Sequence, residues 1–329
     1  MHVVFLNTFD KPNEEGGIVS AQLSICEKDG VWSVLWMEGQ SEPNCWFEGT
    51  SWEEMLVAFR HGVAVKMGEC YSPVIDSMLE EKRGGAGSFI SMLQCYGELH
   101  ANIELFEALR EWRRTRASVE KKSAYLIATN RMLWMISAFV PYTPEELLQI
   151  PGWGESKHNA FGAEVLEVTK KAARTKGFPL NWVASELNPA AFTQWLYKQK
   201  ELKYKNDMIK NEQKKRILSF VREGGTIEQL QTELEMPRRE IMDRIEQLDA
   251  EGYDFDPLIV RELSDMPEDE RNGIWQAFQQ TGDRYLKPVL QQVYGAEGVK
   301  DKQVDVLYER LRLVRLSYRK ERENGKAIS

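Results

Sequence analysis

Three observations predict a multidomain, mainly α-helical protein: a small N-terminal α/β domain, a central helical bundle, and a C-terminal helix-turn-helix with a helical tail. The chain has 329 residues, more than one ordinary core accommodates. Its apolar residues alternate with the period of strands in the first part and recur at helical spacing afterwards. Glycine breaks at Arg83-Gly-Gly-Ala-Gly87 and Gly224-Gly225 punctuate the pattern. They place an α/β domain over 1–83, a linker over 84–100, the bundle over 101–180, a basic connector over 181–216 and the helix-turn-helix with C-terminal helices over 217–329.

Composition narrows the function classes. The apolar fraction of 42% and ten tryptophans suffice for folded cores, and no run of apolar residues is long enough for a membrane helix. The start Met1-His-Val-Val-Phe-Leu-Asn-Thr-Phe9 lacks the basic flank and cleavage site of a signal peptide. The expected compartment is therefore the cytoplasm, association with the nucleoid included. Cys26, Cys45, Cys70 and Cys95 form no Cys-x-x-Cys pair, and His2, His61, His100 and His158 are scattered. Reduced thiols, no structural zinc and no cofactor are expected. The net charge is −8, but residues 101–222 hold 21 Lys/Arg against 13 Asp/Glu while both flanks are acidic. A basic middle is the electrostatic footprint of a nucleic-acid module, with a solvated helix face as the alternative.

In the α/β domain, strands are predicted over 3–9, 18–26, 31–37 and 45–47, with Asp29-Gly30 as a hairpin turn. Ser51 caps the following helix, and Glu54 is placed to complete a capping box. Trp32, Trp36, Trp46 and Trp52 are assigned to the core, since their periodicity fits packing better than base stacking. No function is assigned to this domain.

Past the glycine-rich boundary, Leu105, Leu109 and Trp112 form a buried stripe, and Arg110, Arg113, Arg114 and Arg116 occupy other faces of the same helix. Lys121 and Lys122 follow, and such a cluster can neutralise several phosphates. Tyr125-Leu-Ile-Ala-Thr129 is a short apolar passage, Asn130 is the expected cap of the next helix, and Pro141 stops that helix. Thr143-Pro-Glu-Glu-Leu147 reads as a capped helix with Glu146 closing the box. Between it and a helix starting near Glu155 lies Ile150-Pro-Gly-Trp-Gly-Glu-Ser-Lys157. Here Gly152 and Gly154 present backbone N–H groups to an anion, the helix dipole adds to them, and Lys157 contributes a mobile charge. A plain tight turn is the alternative.

Leu105-Phe-Glu-Ala-Leu-Arg-Glu-Trp-Arg113, Tyr125-Leu-Ile-Ala, Pro141-Tyr-Thr-Pro-Glu-Glu-Leu-Leu-Gln-Ile-Pro-Gly-Trp-Gly-Glu-Ser-Lys157 and Phe161-Gly162, in this order, resemble the HRDC domain, the helicase and RNase D C-terminal module. The resemblance spans about seventy residues and implies a bundle of roughly five helices that often binds DNA, single-stranded or branched DNA being preferred in several members, while some members bind nucleic acid poorly and contact protein instead. One departure is Glu120-Lys-Lys-Ser-Ala-Tyr125, where many members carry a Pro-Pro or Pro-Ala turn.

The connector carries Lys198, Lys200, Lys203, Lys205, Lys210, Lys214, Lys215 and Arg216 among Trp195, Tyr197 and Tyr204. That mixture suits single-stranded backbone with stacked bases, or a solvated helix packing its aromatics on a neighbour. From Ile217 the pattern reads helix, turn at Met236-Pro237, helix, with Arg238 and Arg239 in the first turn of the second helix, where a recognition helix meets the groove. Acidic residues surround those two arginines. This segment resembles the helix-turn-helix that closes many RecQ-like helicases, and residues 274–314 fit the tail of that segment. Its last helix carries Arg310, Arg312, Arg315, Arg319, Lys320 and Arg322, placed to grip phosphates or an acidic partner, or to be solvated.

No phosphate-binding Gly-x-x-x-x-Gly-Lys loop, nuclease carboxylate set or hydrolase signature occurs, the cluster at 84–88 lacking the required lysine. Pro267-Glu-Asp-Glu270 follows no apolar strand and is assigned to a helix start. No catalytic residue and no metal site is expected. The sequence thus points to a DNA-binding accessory protein without a helicase motor. Its candidate contacts are Arg113, Arg114, Arg116, Lys121, Lys122, Gly152, Gly154, Lys157, Arg238 and Arg239, and its expected partners are DNA and a RecQ-like helicase or repair enzyme in trans. The alternative is a protein-interaction adaptor with little DNA affinity of its own.

Overall fold

The computed structural model describes residues 1–13, 16–75, 86–298 and 304–327. The protein is mainly helical, with one small antiparallel sheet near its N-terminus, and divides into two compact units, Met1–Asn206 and Asp207–Ser329. Among the described residues no helix is long and apolar enough to cross a membrane, and no His/Cys/Asp/Glu cluster could hold a metal ion.

Unit 1 begins with β1 (His2–Pro12), β2 (Ile18–Lys28), β3 (Val31–Glu38) and β4 (Asn44–Gly49), then α1 (Trp52–Gly68) and the two-residue β5 (Ser72–Pro73). All pairings are antiparallel, in the order β4-β3-β2-β1-β5. Asp29 (φ 53°) and Gly30 (φ 80°) both take the left-handed region, as a two-residue hairpin turn requires. Alternation buries Ala21, Leu23 and Ile25 of β2 with Val34 and Trp36 of β3, and α1 closes the core with Met55. The Ser51 hydroxyl caps α1 by accepting the Glu54 N–H. Trp36 is buried and stacks on Trp46 at 5.2 Å, whereas Trp52 is 45% exposed with its ring against Trp32.

The chain then forms α2 (Ala86–Leu99), α3 (Ile103–Glu120), α4 (Ala124–Ile127), α5 (Asn130–Phe139), α6 (Pro144–Leu147) and α7 (Glu155–Thr169). A 3-10 turn at Leu180–Trp182, α8 (Val183–Glu186) and α9 (Pro189–Arg222) follow. The glycine-rich boundary at 83–87 begins outside the described residues, but 86–99 is helix and not the predicted linker. Its residue Leu93 is buried in the bundle core, and Tyr96 stacks on Phe139 at 5.5 Å. The predicted connector also departs from expectation. Leu180 and Val183 complete the same core, and the Trp195 indole donates to Glu98. The two units divide at Asn206/Asp207 and not at 216/217, since Lys214 already pairs with Glu251 in the second unit. Thr129, not Asn130, caps α5 by accepting the Met132 N–H. Glu146 reaches past a simple capping box to take the Tyr142 N–H at 2.7 Å and the Arg174 guanidinium at 2.7 Å.

Unit 2 contains the end of α9, then α10 (Ile227–Leu234), α11 (Arg238–Ala250), α12 (Asp256–Glu262), α13 (Glu268–Thr281), α14 (Leu286–Gly298) and α15 (Val304–Ala327). Thr226 and Gln229 form a reciprocal capping box on α10, and Glu235 ends that helix with φ 49°. Pro237 precedes α11, giving the helix-turn-helix geometry, and Pro267 starts α13. Ile217, Leu230, Ile241, Ile245, Phe278 and Leu311 anchor one core drawn from every helix of the unit.

Candidate nucleic-acid interface

The Gly-x-Gly hairpin is first a packing device. Trp153, between its two glycines, is 1% exposed, and its ring lies 6.4 Å from that of Trp112 in the bundle core. Gly152 has φ +85°, which calls for glycine, and a Cβ there would meet the Met132 methyl, the movable end of a flexible side chain, at 2.5 Å. Gly154 differs. It is the N-cap of α7 with φ −87° and open space where a Cβ would point. Having no side chain, it leaves the first-turn N–H groups of α7 without a side-chain cap, and helical bonding starts with the His158 N–H on the Gly154 carbonyl at 3.0 Å. Glu155 stands in that first turn and already supplies negative charge to the dipole.

Lys157 is not a mobile arm. Its ammonium donates to the carbonyls of Leu126 at 2.7 Å and Ile127 at 2.8 Å, satisfying the C-terminal end of α4. Burial lowers its pKa below the ordinary lysine value. Arg113 works beside it, donating to the Ala128 carbonyl at 2.9 Å. Burial, then the neighbouring Arg110 and Arg114, lower its pKa, for no carboxylate is its partner among the described residues. Two cations from α3 and α7 therefore converge on the one-turn helix α4. Both are committed to backbone carbonyls, although the lysine retains a third N–H.

The rest of the basic cluster splits by burial. Arg116 is joined to Glu164, which also accepts the Trp112 indole N–H at 2.8 Å, and this knot ties α3 to α7. Arg114 pairs with Glu111 one turn back at 3.3 Å, and Lys122 with Glu120 at 3.1 Å, all four side chains being substantially exposed. Such pairs are worth about 0–1 kcal/mol, so a phosphate can displace the glutamate. Lys121 ends α3 in the left-handed conformation (φ 51°), exposed and without a carboxylate partner among the described residues.

In unit 2 the two predicted arginines part company. Arg238 forks onto Glu309 at 2.5 and 2.7 Å and reaches Glu262 at 3.3 Å, tying the start of α11 to α15 and α12. Its pKa is raised, chiefly by Glu309, and it is not free to meet a groove. Arg239 is exposed, but it shares the outer side of α11 with Glu240, Asp243 and Gln247. The six cations predicted on the last helix are likewise occupied. Arg310 pairs with Glu270, Arg312 with Asp243 and Glu246, Arg315 with Glu246, Arg319 and Arg322 with Asp283, and Lys320 with Asp254 and Asp256.

Sequence reasoning passes over two features. Tyr125 and Leu126, read as part of an apolar passage, are 66% and 52% exposed at the corner that Arg113 and Lys157 hold. The signal is an aromatic three residues after Lys121-Lys122. Arg131, an exposed residue in the first turn of α5, donates to Gln199 of α9 at 2.7 Å, and nothing in the local sequence announces a partner 68 residues away.

Comparison with known proteins agrees with this geometry in the middle of the chain only. No curated protein and no solved structure matches it. The HRDC domain family matches residues 102–169, which run from the cap of α3 to the last residue of α7 and leave out α2, α8 and α9. Residues 102–169 of this chain are an HRDC domain, a nucleic-acid-binding or interaction module.

Proposed function

We propose that the chain is a non-catalytic accessory protein that holds single-stranded or branched DNA on the α4 corner of its HRDC domain, beside a helicase or repair enzyme supplied in trans. One observation carries the reading. Tyr125 presents its ring to solvent on a one-turn helix whose C-terminal carbonyls and cap are held by Lys157 and Arg113, with Lys121 and Lys122 a few residues before it. From Ser123 to Pro144 the sequence contains no Asp or Glu, so nothing along that stretch repels a backbone. An exposed aromatic for a base and lysines for phosphates are what sequence-tolerant binding of single strands needs. The resemblance of the C-terminal segment to that of RecQ-like helicases supports the proposed association.

A specific observation also favours the adaptor reading. Glu228, Glu233, Glu235 and Glu240 are all exposed on the helix-turn-helix, a surface that repels DNA and suits a basic protein face.

Fluorescence anisotropy with labelled single-stranded DNA separates the two. Under the binding reading the affinity falls steeply with salt, with a log–log slope of about −0.7 for each phosphate contacted. The pair Lys121→Glu, Lys122→Glu then weakens binding at least tenfold and flattens that slope. Undetectable or salt-independent binding, with a helicase retained by the chain after nuclease treatment, replaces the reading with the adaptor.

A further inference from the structure

We infer that the cleft between α13 and α14 in the second unit is a docking site for an arginine side chain of a protein partner, an assignment that rests on the partner-in-trans half of the proposed function and not on its DNA contact.

Two bridges between the helices frame the cleft. At one end the Gln292 amide donates to the Gln280 carbonyl oxygen at 2.7 Å, and at the other the Tyr294 hydroxyl donates to Glu270 at 2.5 Å. On α13 these bridges stand about 15 Å apart by helical rise. Between them lies a cleft of about 460 Å³, lined on the α13 side by Asp269, Gly273 and Gln276, which recur at helical spacing on one face. Gly273 has no explanation in the packing of the helix. Glycine weakens a helix interior relative to alanine, yet Gly273 lies outside the left-handed region and a Cβ built there meets no atom within 4 Å. The missing side chain leaves the floor of the cleft open to the close approach of a ligand.

The chemistry of the walls selects the occupant. No Lys, Arg or His lines the cleft among the described residues. The Glu270 carboxylate is taken by Arg310 and Tyr294. Asp269 and Gln276 are exposed and have no hydrogen-bond or ion-pair partner among the described residues, and Gln292, whose amide nitrogen makes the bridge, keeps its carbonyl oxygen as an acceptor. One carboxylate and two amide oxygens call for a cation with several donors in a plane. A guanidinium presents five N–H groups in a fixed fork, whereas a lysine ammonium is a point charge with three. The surrounding field favours the same class of partner. Ser264 to Glu270 holds four acids and no base, which repels a phosphate backbone and attracts a basic segment. Arg271 is two positions from Asp269 and so stands on another side of α13.

The experiment titrates the full chain, by fluorescence anisotropy, with a labelled peptide in which arginine alternates with serine, and with its lysine and citrulline counterparts. The wild type should bind the arginine peptide about tenfold more tightly than the citrulline peptide, which keeps the shape and loses the charge, and more tightly than the lysine peptide. Asp269→Asn should weaken the arginine peptide about tenfold. Gly273→Leu should do so too by filling the cleft, while its melting temperature holds or rises, because leucine is the better helix former and its Cβ meets nothing. Single-stranded DNA should bind both variants as it binds the wild type. Absent peptide binding, or binding that survives Gly273→Leu, overturns the cleft and leaves the DNA reading standing. Peptide binding without DNA binding supports the cleft and removes the DNA reading. Indifference to Asp269→Asn or to citrulline overturns the charge pairing, and equal affinity for the lysine peptide overturns the arginine assignment. Weaker DNA binding by both variants gives the cleft to a strand and overturns the protein partner. Should Gly273→Leu melt lower than the wild type, Gly273→Ala takes its place.

Discussion

Helix α3 of the HRDC domain and helix α15 of the second unit look alike in sequence, each rich in arginine with lysine near its end, yet α3 gives only Arg113 and Arg116 to the fold and leaves Arg110 and Arg114 in solvent, whereas α15 ties its arginines to other segments. On α3, Arg110 and Arg114 meet glutamates of their own helix one turn back, in solvent, and Lys121 has no carboxylate partner among the described residues. On α15 the cations meet carboxylates of other segments, and Glu246 is shared by Arg312 and Arg315, whose side chains are only 12% and 11% exposed. Pairs within one helix surface organise nothing beyond that helix and yield to a stronger anion. Pairs between elements hold the unit together, and a ligand that broke them would have to replace their contribution to the fold. Charge density therefore identifies both helices and distinguishes neither.

The largest effect that tests this contrast comes from Glu246→Ala. It leaves Arg312 and Arg315 partly buried without their shared partner, and the expected loss is about 3 kcal/mol, read as a fall in melting temperature and denaturant midpoint. Acid should do the same gradually. Burial opposes ionisation of Glu246, but Arg312 and Arg315 outweigh it and lower the carboxyl pKa, as Arg319 lowers that of Asp283. A carboxyl lowered in the folded state stabilises the fold above its unfolded pKa of about 4, and that stability disappears as pH falls through the folded value. Thermal melts between neutral pH and about pH 3 should show the decline in the wild type and a shallower one in Glu246→Ala. Equal stability of variant and wild type at neutral pH would make α15 as dispensable a charge carrier as α3.

Much of this architecture is legible in the sequence, because period and punctuation report local geometry directly. The Asp29-Gly30 turn, the four main strands, the cap at Thr143 and the break before Arg238 are all such signals. What the sequence conceals is pairing at long range. Lys157 looks like a free arm at a helix start until its ammonium is seen on carbonyls 30 and 31 residues away. Arg238 looks like a groove contact until Glu309, 71 residues on, takes its fork. The Gly-x-Gly motif misleads for a related reason: backbone N–H groups are its visible chemistry, while the buried Trp153 between the glycines is its main structural role. Exposure is equally hidden: Tyr125 looks like one more apolar residue of its passage until its ring is seen to be 66% exposed.

Tyr125→Ala gives the second largest effect and tests the α3 side of the contrast. If bases stack on this ring, single-stranded DNA should bind about 2 kcal/mol more weakly, roughly thirtyfold, at one salt concentration. Phosphate contacts remain in the variant, so the salt slope should stay as in the wild type. Affinity and slope both unchanged would mean that the corner offers charge alone. The ring makes no core contact, so the melting temperature should move little.

The smallest effect is the most diagnostic, because it concerns a glutamate and not a cation. Glu111 and Arg114 are 69% and 62% exposed and paired at 3.3 Å. A phosphate that recruits Arg114 must first displace this carboxylate, and Glu111→Gln removes that competition while preserving size and helix propensity. Stability should change by no more than about 0.5 kcal/mol, while DNA affinity at low salt should rise about twofold to threefold. The same substitution at Glu246 should lower stability and leave DNA affinity unaltered, since α15 offers its cations to the fold and not to a strand. Should Glu111→Gln leave affinity where it was, Arg114 is a solvated charge, and the contact surface shrinks to Lys121, Lys122 and the α4 corner.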